Sequence, residues 1–285
     1  MHTTLIRTEQ LGKLREEAAD LIVIDCSFDL FSPESGHASY LERHVPGATY
    51  MHLDHDLSGP RTGSNGRHPL PDRATFVALL RKRGVNLASQ VVAYDAQEGI
   101  YAARLWWMLR WVGHVAVAVL EGGLQAWQRQ GLPTEAGVQT VRSEGDLQLH
   151  PSLVQTVDTA DVLANLQTRA RVVIDARSPD RYRGENEIID PRAGHIPGAL
   201  NRSFKNNLNP DGDFKSAAEL RTEFVGLLRG VPPKNAIQQC GSGVSACHNL
   251  LAMEVAGLPG SALYPGSWSE WSADPSRPIA TDAAL

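Results

Sequence analysis

An internal repeat constrains this chain more than any other feature of its sequence. The apolar run Leu21–Asp25 (LIVID) returns as Val172–Asp175 (VVID), and the segment HVPGA that begins at His44 returns as HIPGA beginning at His195. The second member of each pair comes about half the chain length after the first, and the order is kept. The repeat therefore predicts two copies of one fold.

Two further pairs of segments extend the repeat. Residues 91–111 contain an apolar run, a glycine-containing loop and a helical pattern, and residues 236–256 contain the same three features in the same order. In the same way, Gly122–Trp127 corresponds to Gly266–Trp271. Short β-branched runs that alternate with helical patterns are typical of α/β proteins. We therefore predict two α/β domains, each an open, mostly parallel sheet flanked by helices.

The domain boundaries follow from where this alternation stops. Residues 135–151 lack a clear period and contain Gly137, Gly145 and Pro151. We therefore expect a first domain over 1–136, a linker over 137–151 and a second domain over 152–285. Within the first domain, Asp72 is a predicted N-cap for a helix over 74–83, and Gly84 is its predicted stop.

Composition excludes several classes of function. The formal net charge is −5, from 27 Lys and Arg against 32 Asp and Glu, which argues against nucleic-acid binding. The longest apolar stretches, such as Val115–Leu120, are far too short to cross a bilayer, and no secretory leader is recognisable at the N-terminus. Three cysteines do not make a disulfide framework, so we expect a cytoplasmic protein without a membrane partner.

The segment CGSGVSAC, from Cys240 to Cys247, holds the most reactive candidate side chain. It lies between a predicted strand and a predicted helix, and Gly241 and Gly243 allow the backbone to curl so that amide groups point at Cys240. A helix N-terminus adds positive potential, which favours a thiolate nucleophile. The alternatives are a buried inert cysteine, the role that we expect for Cys247, and a zinc site, which the spacing of these residues and His248 does not fit.

This loop resembles the CGSGVT or CGTGVT loop of 3-mercaptopyruvate sulfurtransferases, within the tandem-domain rhodanese family. The resemblance covers nearly the whole chain and implies two rhodanese-like domains. It also implies that the first domain is non-catalytic, because YDAQEG from Tyr94 stands where the second has its cysteine loop. The implied donor-binding loop consists of Gly241, Ser242, Gly243, Val244 and Ser245.

The resemblance also indicates which donor to expect. Thiosulfate-using rhodaneses carry basic residues in this loop, whereas residues 241–247 here carry no charge. A sulfane sulfur donated by 3-mercaptopyruvate is therefore expected, and thiosulfate is the alternative. The segment RYRG from Arg181 resembles the family segment whose first arginine binds the donor carboxylate, which a planar guanidinium suits. For the second family arginine the candidates are Arg192, in a shifted frame, and Arg183.

A Ser-His-Asp relay is a further implication of the resemblance. Its serine would be Ser242, its histidine His68 in HPLP, which is similar to the family's HMLP, and its aspartate Asp54, eight residues after Pro46. Imidazole exchanges protons near neutral pH, so His68 could handle the proton of a leaving enolate. His52 and His55 are neighbouring alternatives.

These implications form one expected mechanism, with the active site in the cleft between the two domains. Cys240 takes sulfur from the donor as a persulfide and passes it to a thiol, a thioredoxin-like protein or cyanide, with no cofactor or metal. The chain is expected to be a monomer or a weak homodimer. A cysteine phosphatase would need arginine where this chain has Ala246, and a non-catalytic binding module is disfavoured by the intact Cys240.

Overall fold

The computed structural model describes residues 1–17, 20–139 and 142–281. The chain forms two units. Met1–Gly59 and Pro71–Leu153 make the first, whereas Pro60–Leu70 and the chain from Val154 onward make the second. The division expected from the sequence had assigned 60–70 to the first domain, so the structure differs there.

The first unit contains one parallel five-stranded sheet with the strand order β1-β5-β4-β2-β3. Its strands are β1 (Leu5–Ile6), β2 (Leu21–Asp25), β3 (Thr49–Tyr50), β4 (Gln90–Tyr94) and β5 (Val117–Leu120). Its helices are α1 (Thr8–Glu17), α2 (Ser35–Glu42), α3 (Arg73–Lys82), α4 (Ile100–Trp111) and α5 (Gly123–Arg129).

The second unit repeats this topology, with the order β6-β10-β9-β7-β8 in a parallel sheet. Its strands are β6 (Gln155–Thr156), β7 (Val172–Asp175), β8 (Leu200–Asn201), β9 (Ala236–Gln239) and β10 (Ala262–Leu263). Its helices are α6 (Thr159–Thr168), α7 (Pro179–Tyr182), α8 (Ala217–Leu228), α9 (Ser245–Val255) and α10 (Ser267–Ala273), with 3-10 turns at Phe204–Asn207 and Pro233–Asn235.

The predicted fold class is confirmed, and the reason is visible in the central strands. Every residue of β2 and β4 is buried, as expected for strands covered by helices on both faces. The predicted cap is confirmed as well, because the Asp72 side chain accepts a hydrogen bond from the Thr75 amide at the start of α3. Helix α9 is buried on most sides, since eight of its eleven residues are buried.

The repeat extends to the packing of the core. Trp127 and Trp271 are buried at equivalent places in α5 and α10, and each indole nitrogen donates to the carbonyl of a proline a few residues later, Pro133 or Pro278. Large aromatic side chains buried with their polar atom paired contribute strongly to core stability. The same buried tryptophan contact therefore stabilises both units.

Candidate functional site

Cys240 directly follows β9, at the carboxyl end of the second sheet, where ligands bind in open α/β folds. The residue is 2% exposed. Its backbone amide donates to Oγ of Ser267 at 3.1 Å, and its carbonyl accepts from the Trp268 amide at 2.9 Å. The start of α10 therefore fixes the backbone around the thiol.

Gly243 gives the loop its curvature. It has a φ of +74°, and a Cβ atom there would lie 2.4 Å from the carbonyl oxygen of Pro265. Only glycine fits both the left-handed backbone and this close approach. The second predicted loop glycine, Gly241, does not have a positive φ, and a Cβ atom there would meet charged side chains, described below.

The curled loop presents amide groups near the thiol. The amides of Ser242, Val244 and Ser245 donate to no protein acceptor in the part of the chain that the structure describes. They lie at the N-terminus of α9, an eleven-residue helix that adds its own positive end. This arrangement suits a bound anion or a sulfur anion on Cys240.

The first unit shows how such a loop binds an anion. Asp95 directly follows β4, and its carboxylate accepts hydrogen bonds from the amides of Gln97, Gly99, Tyr101 and Ala102 at 2.8–2.9 Å. Burial raises the pKa of Asp95, although these four amide bonds act in the opposite direction. An internal carboxylate thus occupies the amide cradle of the first unit.

His68 contacts the cysteine loop from the segment Pro60–Leu70. Its Nδ1 lies 2.7 Å from Oγ of Ser242, and both side chains are buried. The preceding residue is also fixed, because the Arg67 amide donates to Oγ of Ser269 at 2.9 Å. The structure therefore brings His68 and Ser242 together, as their proposed shared role requires.

Asp54, the third residue expected in the relay, belongs to the first unit. It lies in the turn after β3, and its backbone amide donates to Nδ1 of His52 at 3.1 Å. Its role beside His68 stays a prediction.

One cluster of side chains in the first unit could in principle hold a metal ion, and it consists of Glu34, His52 and His55. Their possible ligand atoms lie within 4.8 Å of one another, and Nε2 of His52 is 3.7 Å from Oε1 of Glu34. Because Nδ1 of His52 accepts a hydrogen bond, the neutral ring carries its proton on Nε2. A metal would need the Nε2 lone pair instead. This cluster therefore fits a contact between imidazole and carboxylate better than a metal centre.

The three arginines selected from the sequence have different surroundings. Arg181 lies beside the cysteine loop, with Nη1 3.6 Å from the position that a Cβ on Gly241 would take. Arg183 instead pairs with the exposed Glu185 at 2.7 Å, and no contact of the described residues directs it to the loop.

Arg192 is the clearest departure from expectation. Its guanidinium donates to backbone carbonyls at and beyond the C-terminus of α10, including those of Ser272, Asp274 and Arg277. Cations at this end of a helix stabilise its unpaired carbonyls. The guanidinium of Arg192 thus caps the end of α10, and its expected role in donor binding stays a prediction.

Sequence reasoning missed Arg67. Its Nη2 is 3.1 Å from the Cβ position at Gly241, and its Nη1 forms a 2.7 Å ion pair with Asp190. The available signal was its place directly before His68, since a residue adjacent to a proposed catalytic group shares its location.

Buried carboxylates hold the arginines near the loop. Asp190 pairs with Arg67 through one oxygen and with Arg181 through the other, while Glu187 pairs with both Arg181 and Arg177. Burial acts to raise the pKa of Glu187, but hydrogen bonds from backbone amides and from Arg181 outweigh it and leave the pKa below its ordinary value. Glu187 is therefore a stable anion that orients Arg181.

Comparison with known proteins agrees with the repeat and with this loop. The rhodanese-like domain matches the chain twice, over residues 8–130 and 158–274. The chain belongs to the rhodanese family. Its two units are thus two rhodanese-like domains, the second of which carries a cysteine directly after its central strand.

Relatives within the rhodanese family carry two kinds of name. A probable 3-mercaptopyruvate sulfurtransferase of Pseudomonas aeruginosa is 46% identical over 283 residues, which is 99% of each chain. A thiosulfate sulfurtransferase of Bos taurus is 36% identical over 263 residues, 88% of this chain and 84% of its own.

A solved structure gives the same comparison in three dimensions. The 3-mercaptopyruvate sulfurtransferase from Leishmania major superposes with a TM-score of 0.83 at 28% identity, covering 95% of this chain and 74% of its own. Among the described residues of this rhodanese-family chain, no helix combines the length and apolarity needed to span a bilayer.

Proposed function

We propose that this protein is a sulfurtransferase that moves sulfur from 3-mercaptopyruvate through a persulfide on Cys240 to a thiol or cyanide, releasing pyruvate. The observation that carries the proposal is the position of Cys240, directly after β9 and beside amides that donate to no acceptor among the described residues. The 46% identity to a probable 3-mercaptopyruvate sulfurtransferase supports it.

The first half-reaction balances without an added oxidant. The Cys240 thiolate attacks the donor sulfur, an S–S bond forms, and the donor C–S bond breaks with its electron pair passing to carbon. The products are a Cys240 persulfide and the pyruvate enolate, which takes up one proton to become pyruvate. Loop amides and the α9 N-terminus stabilise the negative charge of the persulfide.

Ser242 and His68 are proposed to supply the enolate proton. Their 2.7 Å hydrogen bond forms a path from the imidazole to the loop that holds Cys240. Asp54 is proposed to orient His68, as a carboxylate does in other relays.

The second half-reaction returns the cysteine to its resting state. A thiolate acceptor attacks the outer persulfide sulfur, and Cys240 leaves as a thiolate. We propose a small thiol or a thioredoxin-like protein as the acceptor, a cytoplasmic setting, and a monomer or weak homodimer. The first domain is proposed to be non-catalytic, because Asp95 stands in place of a thiol.

Thiosulfate is the second candidate donor, and the bovine relative's name favours it. It is a dianion, whereas residues 241–247 carry no charge, which is the reason to rank mercaptopyruvate first. Steady-state assays with both donors decide the order, and a larger kcat/KM for thiosulfate would reverse it.

Intact-mass spectrometry tests the persulfide directly. Incubation with mercaptopyruvate should add about 32 Da, one sulfur atom, and a thiol should remove it. Cys240→Ser should gain nothing, while the control Cys26→Ser, in the first unit, should behave as wild type. Normal turnover by Cys240→Ser, or a mass gain located on Cys247, would overturn the mechanism in favour of another nucleophile or a binding role.

A further inference from the structure

Two guanidinium groups converge on the loop residue that follows the nucleophile. A Cβ on Gly241 would lie 3.1 Å from Nη2 of Arg67, 3.6 Å from Nη1 of Arg181 and 3.8 Å from its Nη2. The two arginines come from distant parts of the sequence, yet both belong to the second unit. Their donors therefore lie above the same peptide group, beside Cys240.

Asp190 holds this pair in a fixed arrangement. Its Oδ1 accepts from Nη1 of Arg67 at 2.7 Å and its Oδ2 accepts from Nη2 of Arg181 at 3.0 Å, and its side chain is 2% exposed. A buried carboxylate shared by two guanidinium groups limits the rotamers that both can adopt. The orientation of the pair is thus set before any ligand binds.

Hydrogen-bond donors remain on the side of the pair that faces the loop. In the described part of the chain, neither Nη2 of Arg67 nor Nη1 of Arg181 donates to a protein acceptor. Nε of Arg67 is buried and has no hydrogen-bond partner. A buried guanidinium nitrogen without an acceptor is costly, and the two Nη atoms add donors beside it, so this geometry suits a ligand that supplies acceptors.

The charges around the pair favour a singly charged ligand. Arg67, Arg177 and Arg181 face three carboxylates, those of Asp175, Glu187 and Asp190, with which they form ion pairs. Because the cluster is balanced, one added negative charge is easier to accommodate than two. A carboxylate also matches two donors with its two oxygens.

We propose that Arg67 and Arg181 together bind the carboxylate of an α-keto acid sulfur donor, with Arg67 in the place that the sequence assigned to Arg192. This inference rests on the proposed function and names the second arginine of that same site. Arg67 is then a specificity-determining residue that acts on the donor's carboxylate and leaves its thiol chemistry untouched.

Donor selectivity provides the first test. Wild type, Arg67→Gln and Arg67→Lys are assayed with 3-mercaptopyruvate and with 1-mercaptopropan-2-one, a neutral donor that has the same reacting atoms but no carboxylate. Loss of a charged hydrogen bond should raise the KM of the Gln variant for mercaptopyruvate about 10- to 100-fold. Its kcat/KM for the neutral donor should stay within about threefold, and the Lys variant should recover part of the loss.

The control is Arg7→Gln, which removes an arginine of the first unit whose side chain is 77% exposed and lies 3.7 Å from Glu121. It should match wild type on both donors. Equal losses on both donors in Arg67→Gln would mean that Arg67 only supports the loop, and unchanged kinetics would mean that it does not contact the donor. Either result overturns the inference while leaving wild-type sulfur transfer, and hence the proposed function, intact.

A second measurement does not depend on turnover. Pyruvate should slow alkylation of Cys240 by iodoacetamide, a neutral reagent, and mass spectrometry gives the extent at that residue. The pyruvate concentration that gives half protection should rise about 10-fold or more in Arg67→Gln but not in Arg7→Gln. Protection that is identical in all three proteins, or absent from wild type, would overturn the carboxylate site even if the wild type proved inactive with mercaptopyruvate.

Discussion

Asp95 in the first domain and Cys240 in the second occupy equivalent positions, each one residue beyond the central strand of its sheet. The preceding residues, Tyr94 and Gln239, pair with the strand-end aspartates Asp25 and Asp175. One site holds a carboxylate bound by four amides, and the other holds a thiol beside amides that find no acceptor within residues 1–17, 20–139 and 142–281. The side chain at this position therefore differs between a loop that binds its own carboxylate and a loop that carries a thiol.

The Asp95 cradle makes a prediction about stability. Asp95→Ala leaves four amides without their acceptor, so the free energy of unfolding of the first domain should fall by on the order of 3 kcal/mol. Asp95→Asn keeps one acceptor oxygen and should lose less. Urea unfolding followed by circular dichroism measures both, with Asp211→Asn, in an exposed loop, as the control. A stability equal to wild type in Asp95→Ala would show that the four bonds contribute nothing net.

Asp25 gives a pH-dependent prediction. Burial raises the pKa of Asp25 to about 6, although hydrogen bonds from Ser27 act to lower it. Because the folded state disfavours the charged form, wild type should lose stability as the pH rises from about 4 to about 6.

Asp25→Asn removes this titration. Its advantage over wild type in free energy of unfolding should therefore grow by about 3 kcal/mol across that interval and stay constant above it. Denaturant unfolding at pH 4.5, 5.5 and 7 measures the difference. An advantage that is the same at all three values would mean that Asp25 does not titrate differently in the folded chain.

Arg181→Lys tests the first arginine of the proposed donor site. Lysine keeps the charge but loses the planar fork that contacts Glu187 and Asp190 and faces Gly241. KM for mercaptopyruvate should rise by a factor that corresponds to about 1–3 kcal/mol. Arg7→Lys, at an exposed arginine of the first domain, is the control. Unchanged donor kinetics in Arg181→Lys would place the carboxylate site elsewhere.

His68→Ala tests the proton relay. Only mercaptopyruvate releases a carbon leaving group that needs a proton, and general acid–base catalysis contributes typically a hundred- to ten-thousand-fold. Turnover with mercaptopyruvate should therefore fall by about that factor, and turnover with thiosulfate far less. Equal losses on both donors would assign His68 a structural role through its hydrogen bond to Ser242. His52→Ala, in the first domain, should leave the ratio of the two activities unchanged.

Much of this protein is determined by its sequence alone. The repeat, the short β-branched apolar runs and the turn chemistry at Asp72 and Gly84 predicted two α/β domains with strand limits close to those observed. The same local reasoning identified Cys240 and its loop, because a cysteine between a strand and a helix N-terminus is a short-range pattern. These features depend on periodicity and backbone preferences over a few residues, which a sequence displays directly.

Tertiary structure alone decided where the long side chains go. The sequence suggested Arg192 as a donor-binding residue, but in the folded chain its guanidinium lies at the end of α10. The fold also brings Arg67, from a distant segment, next to Gly241. The physical reason is that a guanidinium on a flexible stem binds whichever carbonyl or carboxylate the fold presents, and those partners lie about 80 or more residues away along the chain. No local pattern records such partners, so the surroundings of Arg67 and Arg192 emerge only once the fold is known.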